Sequence, residues 1–517
     1  MNLTRPYTTP AVLASVARTF GAQTAIEDGS IRWTFKELQD YAEHTAGALV
    51  GAGVLPGDRI GIWAPNSAHW IVIALAVHCA GACIVPINTR LKGKEAGYIL
   101  RCSGVKMLFH DGNFLNLRYD ELIASEKLPE LQKIIALNSH EWSAFKSLCT
   151  ADTLRIAQTR SLNVTGEDIA DVMFTSGTTG QPKGVISNHA QNIRVFTQWS
   201  DTVGLQHDDR YLIVNPFFHT FGYKAGWLAC LLTGATIIPM RVFDVPKIIR
   251  LIIDERISVL PGPPTLFQSI LASPKLKFNK LSNLRLAVTG AANVPVKMIE
   301  EMRKEMGFKT IITGYGLTES TGVVSLCRPS DTPERISNSC GTPLPGVEVK
   351  VVNSAGHEVS RGSEGEIWVR GYNVMQGYFN DLEATNAAID AEGWLHTGDI
   401  GSMDEKNYLR ITDRMKDMFI VGGFNCYPAE IENLLSAHPL ITQVAIVGIP
   451  DERLGEVAAA YVVLKYDSNI NERELIAWSR KNMANYKVPR KIKFVSSLPM
   501  TASGKVQRFA LREENLQ

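Results

Sequence analysis

One run of ten residues carries the side chains that suit a polyphosphate, and it reads Thr175-Ser-Gly-Thr-Thr-Gly-Gln-Pro-Lys-Gly184. Its hydroxyl donors are Thr175, Ser176, Thr178 and Thr179. Its glycines, which let backbone N–H groups converge on anionic oxygens, are Gly177, Gly180 and Gly184. Lys183 adds a cation. We interpret the run as a cradle for a triphosphate.

Apolar segments on both sides predict that this loop joins two strands. Asp171-Val-Met-Phe174 is typical of a strand entering the loop, and Val185-Ile186 of a strand leaving it. The run is not a Walker A motif, because Gly184 follows the lysine and a strand pattern takes the place of the required helix. The alternative is a flexible surface linker, since Gly, Ser and Thr also dominate such linkers.

Four further motifs follow in order along the chain and disfavour the linker. They are Gly314-Tyr-Gly-Leu-Thr-Glu319, Trp394-Leu-His-Thr-Gly-Asp399, Asp413-Arg-Met-Lys-Asp417 with Gly422-Gly423, and Thr501-Ala-Ser-Gly-Lys505. Together with the glycine-rich run, they resemble the adenylate-forming superfamily of acyl-CoA synthetases, nonribosomal adenylation domains and luciferases. One such motif alone would be weak, whereas the ordered set is specific.

Chain length and periodicity predict the fold class. A chain of 517 residues exceeds what one hydrophobic core usually supports, so two or more domains are expected. Alternating apolar runs and helical patterns predict an α/β protein with central sheets. The resemblance implies a large N-terminal multi-sheet domain, residues 1–415, and a small mobile C-terminal α/β domain, residues 416–517. It also implies that the small domain rotates about Lys416 as a hinge; a surface charge cluster in a β-hairpin is the alternative for residues 413–417.

Composition excludes several classes of partner. A net charge of +1 leaves no footprint for nucleic acid or an anionic membrane. The apolar run over residues 70–86 is too short for a membrane span, and it predicts a buried helix running into a strand. Eight scattered cysteines and the absence of a secretory leader predict reduced thiols and a cytoplasmic protein. The oligomeric state stays open, with a homodimer as one alternative.

The resemblance implies ATP, Mg²⁺ and coenzyme A. In the first step a substrate carboxylate attacks the α-phosphorus of ATP and pyrophosphate leaves, which requires fixed cations and donors. Lys505 is implied as the central cation that bridges the carboxylate and the α-phosphate. Glu319 and the Thr175 hydroxyl are expected to hold Mg²⁺, which prefers few carboxylates plus phosphate oxygens and water. Thr318 is expected to donate to the α-phosphate.

The nucleoside part of the site is implied by three further residues. Tyr315 presents a ring face on which adenine can stack, and Gly314 and Gly316 are expected to clear room for the flat base. Asp399 is expected to accept hydrogen bonds from the ribose hydroxyls, with Arg414 as a second ribose contact. The alternatives are a core tyrosine and an ordinary turn aspartate.

In the second step the thiol of coenzyme A attacks the acyl carbon and AMP leaves. By resemblance, rotation at Lys416 brings Gly422 and Gly423 to the thiol's tunnel, where absent Cβ atoms let the backbone approach a narrow ligand. Family members often have Gly or Glu before the arginine, whereas this chain has Asp413. That departure leaves the local ribose and hinge contacts open.

Substrate information lies in Pro216-Phe-Phe-His-Thr-Phe-Gly222. Amino-acid-activating relatives place an aspartate near the position of His219, so its absence favours an acid without an amine. Phe218 and the catalytic candidate His219 are expected to wall the acyl pocket. Small residues complete the acyl pocket, and they are Gly290, Ala291, Ala292 and Gly314; Gly290 and Ala291 are also expected at the nucleotide. The small residues at 290–292 suggest room for an acid bulkier than acetate, with core packing as the alternative role for the aromatic residues.

Closer resemblance narrows the substrate. Asn215-Pro-Phe-Phe-His-Thr-Phe-Gly-Tyr-Lys-Ala-Gly226 and Ala287-Val-Thr-Gly-Ala-Ala-Asn-Val-Pro295 are similar to actinobacterial CoA ligases for the ring propanoate left by steroid degradation. Ligases for terpenoid acids are a close second. The expectation is an AMP-forming acid–CoA ligase for a bulky alicyclic or polycyclic acid. The alternatives are an adenylation enzyme that loads a carrier protein, a specialist in one half-reaction, and a luciferase-like oxygenase.

Overall fold

The computed structural model describes residues 7–175, 182–278, 281–290, 294–414, 417–421, 424–426, 428–451, 454–483, 485–500 and 506–513. Within these ranges the strands, in chain order, are β1 Thr24–Asp28, β2 Ile31–Thr34, β3 Arg59–Trp63, β4 Cys83–Pro86, β5 Val105–Asp111, β6 Lys133–Leu137, β7 Ile169–Thr175, β8 Lys183–Asn188, β9 Arg210–Ile213, β10 Thr236–Pro239, β11 Leu286–Gly290, β12 Thr310–Tyr315, β13 Ser325–Leu326, β14 Thr342–Pro343, β15 Val347–Val352, β16 Gly365–Gly371, β17 Gly377–Tyr378, β18 Leu395–Met403, β19 Leu409–Arg414, β20 Phe419–Val421, β21 Phe424–Cys426, β22 Ile441–Asp451, β23 Gly455–Leu464 and β24 Lys491–Phe494.

The α-helices of the same ranges are α1 Thr9–Phe20, α2 Phe35–Gly51, α3 Ala68–Cys79, α4 Gly93–Ser103, α5 Tyr119–Ile123, α6 His140–Lys146, α7 Ala151–Asn163, α8 His189–Val203, α9 Thr220–Gly222, α10 Ala229–Thr233, α11 Val245–Asp254, α12 Pro264–Leu271, α13 Val296–Met306, α14 Pro333–Asn338, α15 Leu382–Ala388, α16 Pro428–Ser436, α17 Glu472–Asn482 and α18 Arg508–Glu513. A π-helix covers Tyr223–Leu228, and short 3₁₀ turns cover Pro274–Phe278 and Thr318–Ser320.

The central sheet has the order β17-β8-β7-β4-β3-β5-β6. The neighbouring strands β7, β4, β3, β5 and β6 pair in parallel. In contrast, β7 and β8 form an antiparallel hairpin in which Thr175 lies opposite Lys183. The prediction that strands flank the glycine-rich loop is therefore confirmed. The loop itself, residues 176–181, lies outside the described residues. Its two ends are fixed side by side on neighbouring strands.

The helix α3 and the strand β4 account for the apolar run at residues 70–86. Ser67 caps the helix, because its side chain accepts a hydrogen bond from the backbone N–H of Trp70. Every residue of α3 except His69 is buried, and all four residues of β4 are buried. The predicted helix running into a strand is confirmed. Among the described helices, none is long and apolar enough to cross a membrane.

The parallel strands β11 and β12 end at the same edge of their sheet. The order is β2-β1-β10-β9 in one sheet and β11-β12-β13-β14 in the next, and Val259 bridges β9 to β11. In the parallel pair β11 and β12, Gly290 lies opposite Gly314. Carboxyl ends of parallel strands meet at the same edge, which is where α/β folds bind ligands. The sheet therefore brings Gly290, Gly314 and Tyr315 together.

The third sheet, with the order β15-β16-β18-β19, is antiparallel and places Asp399 opposite Arg414. Its edge strand β19 continues through Asp413 and Arg414. The first two residues of the charged segment 413–417 therefore belong to a strand. An edge strand tolerates them because one of its sides has no neighbouring strand to pair with.

The C-terminal part forms its own sheet, with the order β21-β20-β23-β22 and with β24 on β23. Its helices and strands enclose separate apolar clusters, for example around Ile446 and around Tyr461. The predicted α/β fold, with a large N-terminal domain and a small C-terminal domain, is confirmed. Lys416 lies outside the described residues, so the boundary between residues 415 and 416 stays a prediction.

Candidate active site

The predicted site residues that the structure describes line one cleft of about 3200 Å³. They are Thr175, Lys183, Phe218, His219, Gly290, Gly314, Tyr315, Gly316, Thr318, Glu319 and Asp399. Other predicted residues lie outside the described part of the chain, namely Ser176, Gly177, Thr178, Thr179, Gly180, Ala291, Lys416, Gly422, Gly423 and Lys505. Arg414 enters only through its backbone pairing opposite Asp399.

Thr175 and Glu319, the predicted metal ligands, face each other across the cleft. The Thr175 hydroxyl donates to Oε1 of Glu319 at 3.5 Å, although 144 residues separate them in the chain. Glu319 is held in the 3₁₀ turn because the backbone N–H of Leu317 donates to the Ser320 hydroxyl, at 3.1 Å. A hydroxyl and a carboxylate are hard oxygen donors, so the pair fits Mg²⁺ that keeps phosphate oxygens and water as its other ligands.

Tyr378 joins this pair, and the sequence reasoning missed it. Its hydroxyl donates to the same Glu319 oxygen at 3.1 Å. Lys183 Nζ lies 5.1 Å from the centre of the Tyr378 ring, within reach of a cation–π contact. Burial, with the Glu319 charge, raises the pKa of Tyr378 well above its ordinary value, so the hydroxyl keeps its proton and donates. No local signal singles out Tyr378, because the dipeptide Gly-Tyr also occurs at residues 97–98, 222–223 and 371–372.

The nucleoside candidates Tyr315 and Asp399 are brought together directly. The Tyr315 hydroxyl donates to Oδ2 of Asp399 at 2.5 Å. The backbone N–H of Asp399 donates to the Thr397 hydroxyl at 3.1 Å, which fixes the turn that carries the carboxylate. Asp399 is buried. Because this hydrogen bond holds the two side chains together, the Tyr315 ring face can contact a base while the Asp399 carboxylate contacts the attached ribose.

The glycines beside Tyr315 have a different purpose from the predicted one. A Cβ on Gly316 would lie 2.2 Å from the Gly322 carbonyl oxygen, and one on Gly314 would lie 2.5 Å from Leu326 Cδ2. The missing side chains therefore leave space for neighbouring protein atoms. The expectation that these glycines clear room for a flat base is wrong in its reason, because the Gly322 backbone and the Leu326 side chain fill that space.

The acyl-pocket candidates Phe218 and His219 lie on the segment between β9 and α9. His219 Nδ1 accepts a hydrogen bond from the backbone N–H of Phe221 at 3.2 Å, so the ring caps α9 and is held at the cleft wall. Asn66 fixes the segment from behind. Its amide donates to the Asn215 carbonyl at 2.9 Å, and its oxygen accepts from the backbone N–H of Phe217 at 2.8 Å. Nothing local in the sequence pointed to Asn66.

Ion pairs tie the residue after the predicted hinge to the last described helix. Arg512 Nη2 lies 3.3 Å from Asp417 Oδ1, and Arg508 Nη1 lies 3.6 Å from Asp417 Oδ2. Arg508 also contacts Glu432 Oε2 at 2.8 Å. The helix α18 begins three residues after Lys505. Among the described residues, the helix that follows Lys505 in the sequence is thus paired with Asp417, the residue after the predicted hinge.

Comparison with known proteins gives matches over nearly the whole chain. A family model described as AMP-binding enzyme matches residues 13–379, and one described as AMP-binding enzyme C-terminal domain matches residues 430–505. A (7a-methyl-1,5-dioxo-octahydro-1H-inden-4-yl)propanoyl:CoA ligase of Rhodococcus jostii is 47% identical over 99% of both chains. A ligase of the same name from Mycobacterium tuberculosis is 44% identical over 98% of both.

Solved structures show the same extent of similarity. The anthranilate CoA ligase AuaEII, in complex with anthranoyl-AMP, has a TM-score of 0.89 and 29% identity. The match covers 99% of this chain and 98% of that one. The similarity therefore includes the cleft and both domains.

Proposed function

The chain belongs to the AMP-binding enzyme family, and we propose that it is an AMP-forming acid–CoA ligase for a bulky alicyclic or polycyclic carboxylic acid. The observation that carries this proposal is the meeting of two predicted pairs in one cleft, Thr175 with Glu319 and Tyr315 with Asp399. ATP and coenzyme A are substrates of the ligases to which the chain is similar. An acyl-adenylate is the intermediate that links their two half-reactions.

In adenylation, the hairpin of β7 and β8 binds the triphosphate. Lys183 and the loop hydroxyls contact the β- and γ-phosphates, while Tyr315 stacks on adenine and Asp399 accepts from the ribose hydroxyls. Glu319 and Thr175 would hold Mg²⁺, which would neutralise phosphate charge. Thr318 and Lys505 contact the α-phosphate. Lys505 also binds the incoming carboxylate. An oxygen of that carboxylate then attacks the α-phosphorus, and pyrophosphate leaves.

In thioester formation, the small domain, residues 416–517, rotates about Lys416 against residues 1–415. Lys505 leaves the site, and Gly422 with Gly423 lines the path of the coenzyme A thiol. The sulfur then attacks the acyl carbon and AMP departs. The ion pairs of Asp417 with Arg508 and Arg512 support the proposed domain boundary, because they connect the residue after the hinge to a helix of the small domain.

A ring-bearing propanoate is the substrate we favour. The two relatives named for an indene-derived propanoyl substrate cover nearly the whole chain at 47% and 44% identity. The cleft lining also carries large apolar side chains, including Phe196, Trp199, Phe221, Val288, Met298 and Leu326. Such a wall suits a bulky alicyclic body better than a short polar acid. A terpenoid acid is the alternative substrate.

We also propose that the enzyme is located in the cytoplasm.

The test separates the two half-reactions. Enzyme, ATP and Mg²⁺ are incubated with the bicyclic dioxo-indene propanoate, a terpenoid acid, octanoate and acetate, with and without coenzyme A. Pyrophosphate and thioester are followed separately. We expect the bicyclic acid to give the highest kcat/KM and thioester to form without any protein acceptor.

Other outcomes favour the alternatives. Pyrophosphate release without thioester, restored by an acyl carrier protein, would indicate carrier loading. Pyrophosphate release that neither acceptor converts to thioester would indicate a specialist in the first half-reaction. Preference for acetate would contradict the bulky-acid proposal.

The mass of the native enzyme in solution distinguishes a homodimer from a monomer.

A further inference from the structure

A fully buried ion pair lies behind the hairpin that carries the phosphate loop. Lys224 Nζ is 3.0 Å from Asp171 Oδ1, and both side chains are 0% exposed. Lys224 also donates to the Ser187 hydroxyl at 3.0 Å. The Asn192 amide donates to the other Asp171 oxygen at 2.6 Å. The four side chains form one hydrogen-bonded cluster, which we call the Lys224 cluster.

The Lys224 cluster connects two parts of the site that are distant in sequence. Asp171 and Ser187 lie directly opposite each other on β7 and β8, so the Lys224 ammonium contacts both strands of the hairpin at once. Each strand then runs four residues farther, to Thr175 on β7 and to Lys183 on β8. Lys224 itself belongs to the π-helix Tyr223–Leu228, which directly follows α9 and its cap His219.

Stability gives no reason for such a pair. Burial lowers the pKa of Lys224, and the Asp171 charge opposes that shift, so removing both groups from water is costly. Apolar replacements of buried ion pairs are often neutral or stabilising. The cost is explained if the pair fixes a geometry that the chemistry needs.

We propose that Lys224 is a positioning residue. It holds the segment that carries Phe218 and His219 in a fixed position relative to the hairpin of β7 and β8, so that the substrate carboxylate meets the α-phosphorus of ATP. This role rests on the proposed ligase function. Lys224 contacts neither substrate in this arrangement, because it is fully buried behind the hairpin. It acts through Asp171 and Ser187 on one side and through the backbone leading to His219 on the other.

The test compares three variants with wild type. Lys224→Met combined with Asp171→Asn removes both charges while an amide oxygen still accepts from Asn192. Ser187→Ala removes only the contact to β8. The control is Lys106→Met with Asp58→Asn, because Lys106 Nζ on β5 and Asp58 Oδ1, directly before β3, form a 2.8 Å pair beside the same sheet and away from the cleft lining. Each is assayed for thermal unfolding, pyrophosphate release and thioester formation from supplied acyl-adenylate.

We expect the Lys224 double variant to unfold near the wild-type midpoint and to lose about 100-fold in kcat for pyrophosphate release, the cost of a misplaced reacting group. Ser187→Ala is expected to lose about tenfold, roughly the worth of one hydrogen bond to a charged group. KM for ATP and thioester formation from supplied acyl-adenylate should change little, and the control pair should behave as wild type. A merely structural pair would not produce this split between kcat and KM.

Unchanged pyrophosphate release in Ser187→Ala, or in a folded Lys224 double variant, would overturn the positioning role. An equal loss in the control pair would do the same, since it would show a general effect of removing charges from the sheet. A wild-type enzyme that releases no pyrophosphate with any acid would instead contradict the proposed function. The two failures are therefore distinguishable.

Discussion

The Tyr315 hydroxyl donates to Oδ2 of Asp399 at 2.5 Å, across the junction of two sheets. Tyr315 ends β12, and Asp399 lies within β18. The ring proposed to stack on adenine and the carboxylate proposed to bind ribose are therefore positioned by one shared contact. Neither can move without disturbing the other.

Tyr315→Phe keeps the ring and removes the contact with Asp399. We expect KM for ATP to rise about tenfold with little change in kcat, because a hydrogen bond to a charged group contributes about 1.5 kcal/mol. Tyr315→Ala should weaken ATP further, by the ~1–3 kcal/mol that stacking on an aromatic ring provides. The ATP dependence of pyrophosphate release measures both. An unaltered KM in Tyr315→Ala would place the adenine elsewhere.

Tyr378→Phe should change the response to Mg²⁺. The variant loses the 3.1 Å hydrogen bond that orients Glu319 but keeps the ring beneath Lys183. We expect the Mg²⁺ concentration for half-maximal pyrophosphate release to rise about tenfold, by the same hydrogen-bond energy. Titration at saturating ATP measures it, with Tyr372→Phe, a ring beside Arg194, as the control. A Mg²⁺ dependence like that of wild type would show that Tyr378 does not support the metal site.

Lys505→Ala tests the division of labour between the two poses of the small domain. Loss of the central cation should abolish pyrophosphate release, because nothing then bridges the carboxylate and the α-phosphate. Thioester formation from supplied acyl-adenylate should survive, since Lys505 has left the site by that step. Rapid-quench assays of the separate half-reactions measure the difference. Equal loss of both would refute the proposed rotation.

Gly423→Leu should show the opposite bias. A branched side chain would obstruct the proposed path of the thiol, so thioester formation should fall while pyrophosphate release continues. The same two half-reaction assays apply. Ala477→Leu is the control, because Ala477 is an exposed residue of α17 on the same domain and lies outside the cleft lining. Unimpaired thioester formation would remove Gly423 from the tunnel.

Thiol chemistry should follow burial. All eight cysteines are free, and burial raises the pKa of the Cys79 thiol to about 12, whereas Cys102 is exposed. The thiolate is the reactive form, and its fraction grows as pH rises toward the pKa. We expect iodoacetamide at pH 8 to label Cys102 in the folded protein and Cys79 only after denaturation. Peptide mass spectrometry measures this, and Cys102→Ser should remove the native signal.

Features that depend on local pattern could be predicted from the sequence. The strands around the loop show as short apolar runs, and α3 and β4 show as a run too short for a membrane. The meeting of Thr175 with Glu319 depended on family resemblance, because 144 residues separate them. No local pattern predicts that contact.

Features that depend on tertiary neighbours could not be predicted. Lys224 stands among apolar residues, and only the folded chain shows that it faces the cross-strand pair Asp171 and Ser187. Tyr378 was missed because its partner Glu319 lies 59 residues away. The glycines beside Tyr315 were identified, but their purpose depends on which atoms occupy the space they leave.

The ion pairs of Asp417 tie the last described helix, α18, to the residue that follows the proposed hinge. Arg512 contacts an acidic group 95 residues earlier, and Arg508 holds both Asp417 and Glu432. Truncation ahead of Arg508 would remove both guanidinium groups from Asp417, the residue after the proposed hinge. A shortened or fused C-terminus is therefore expected to alter the proposed rotation, even with every substrate contact left in place.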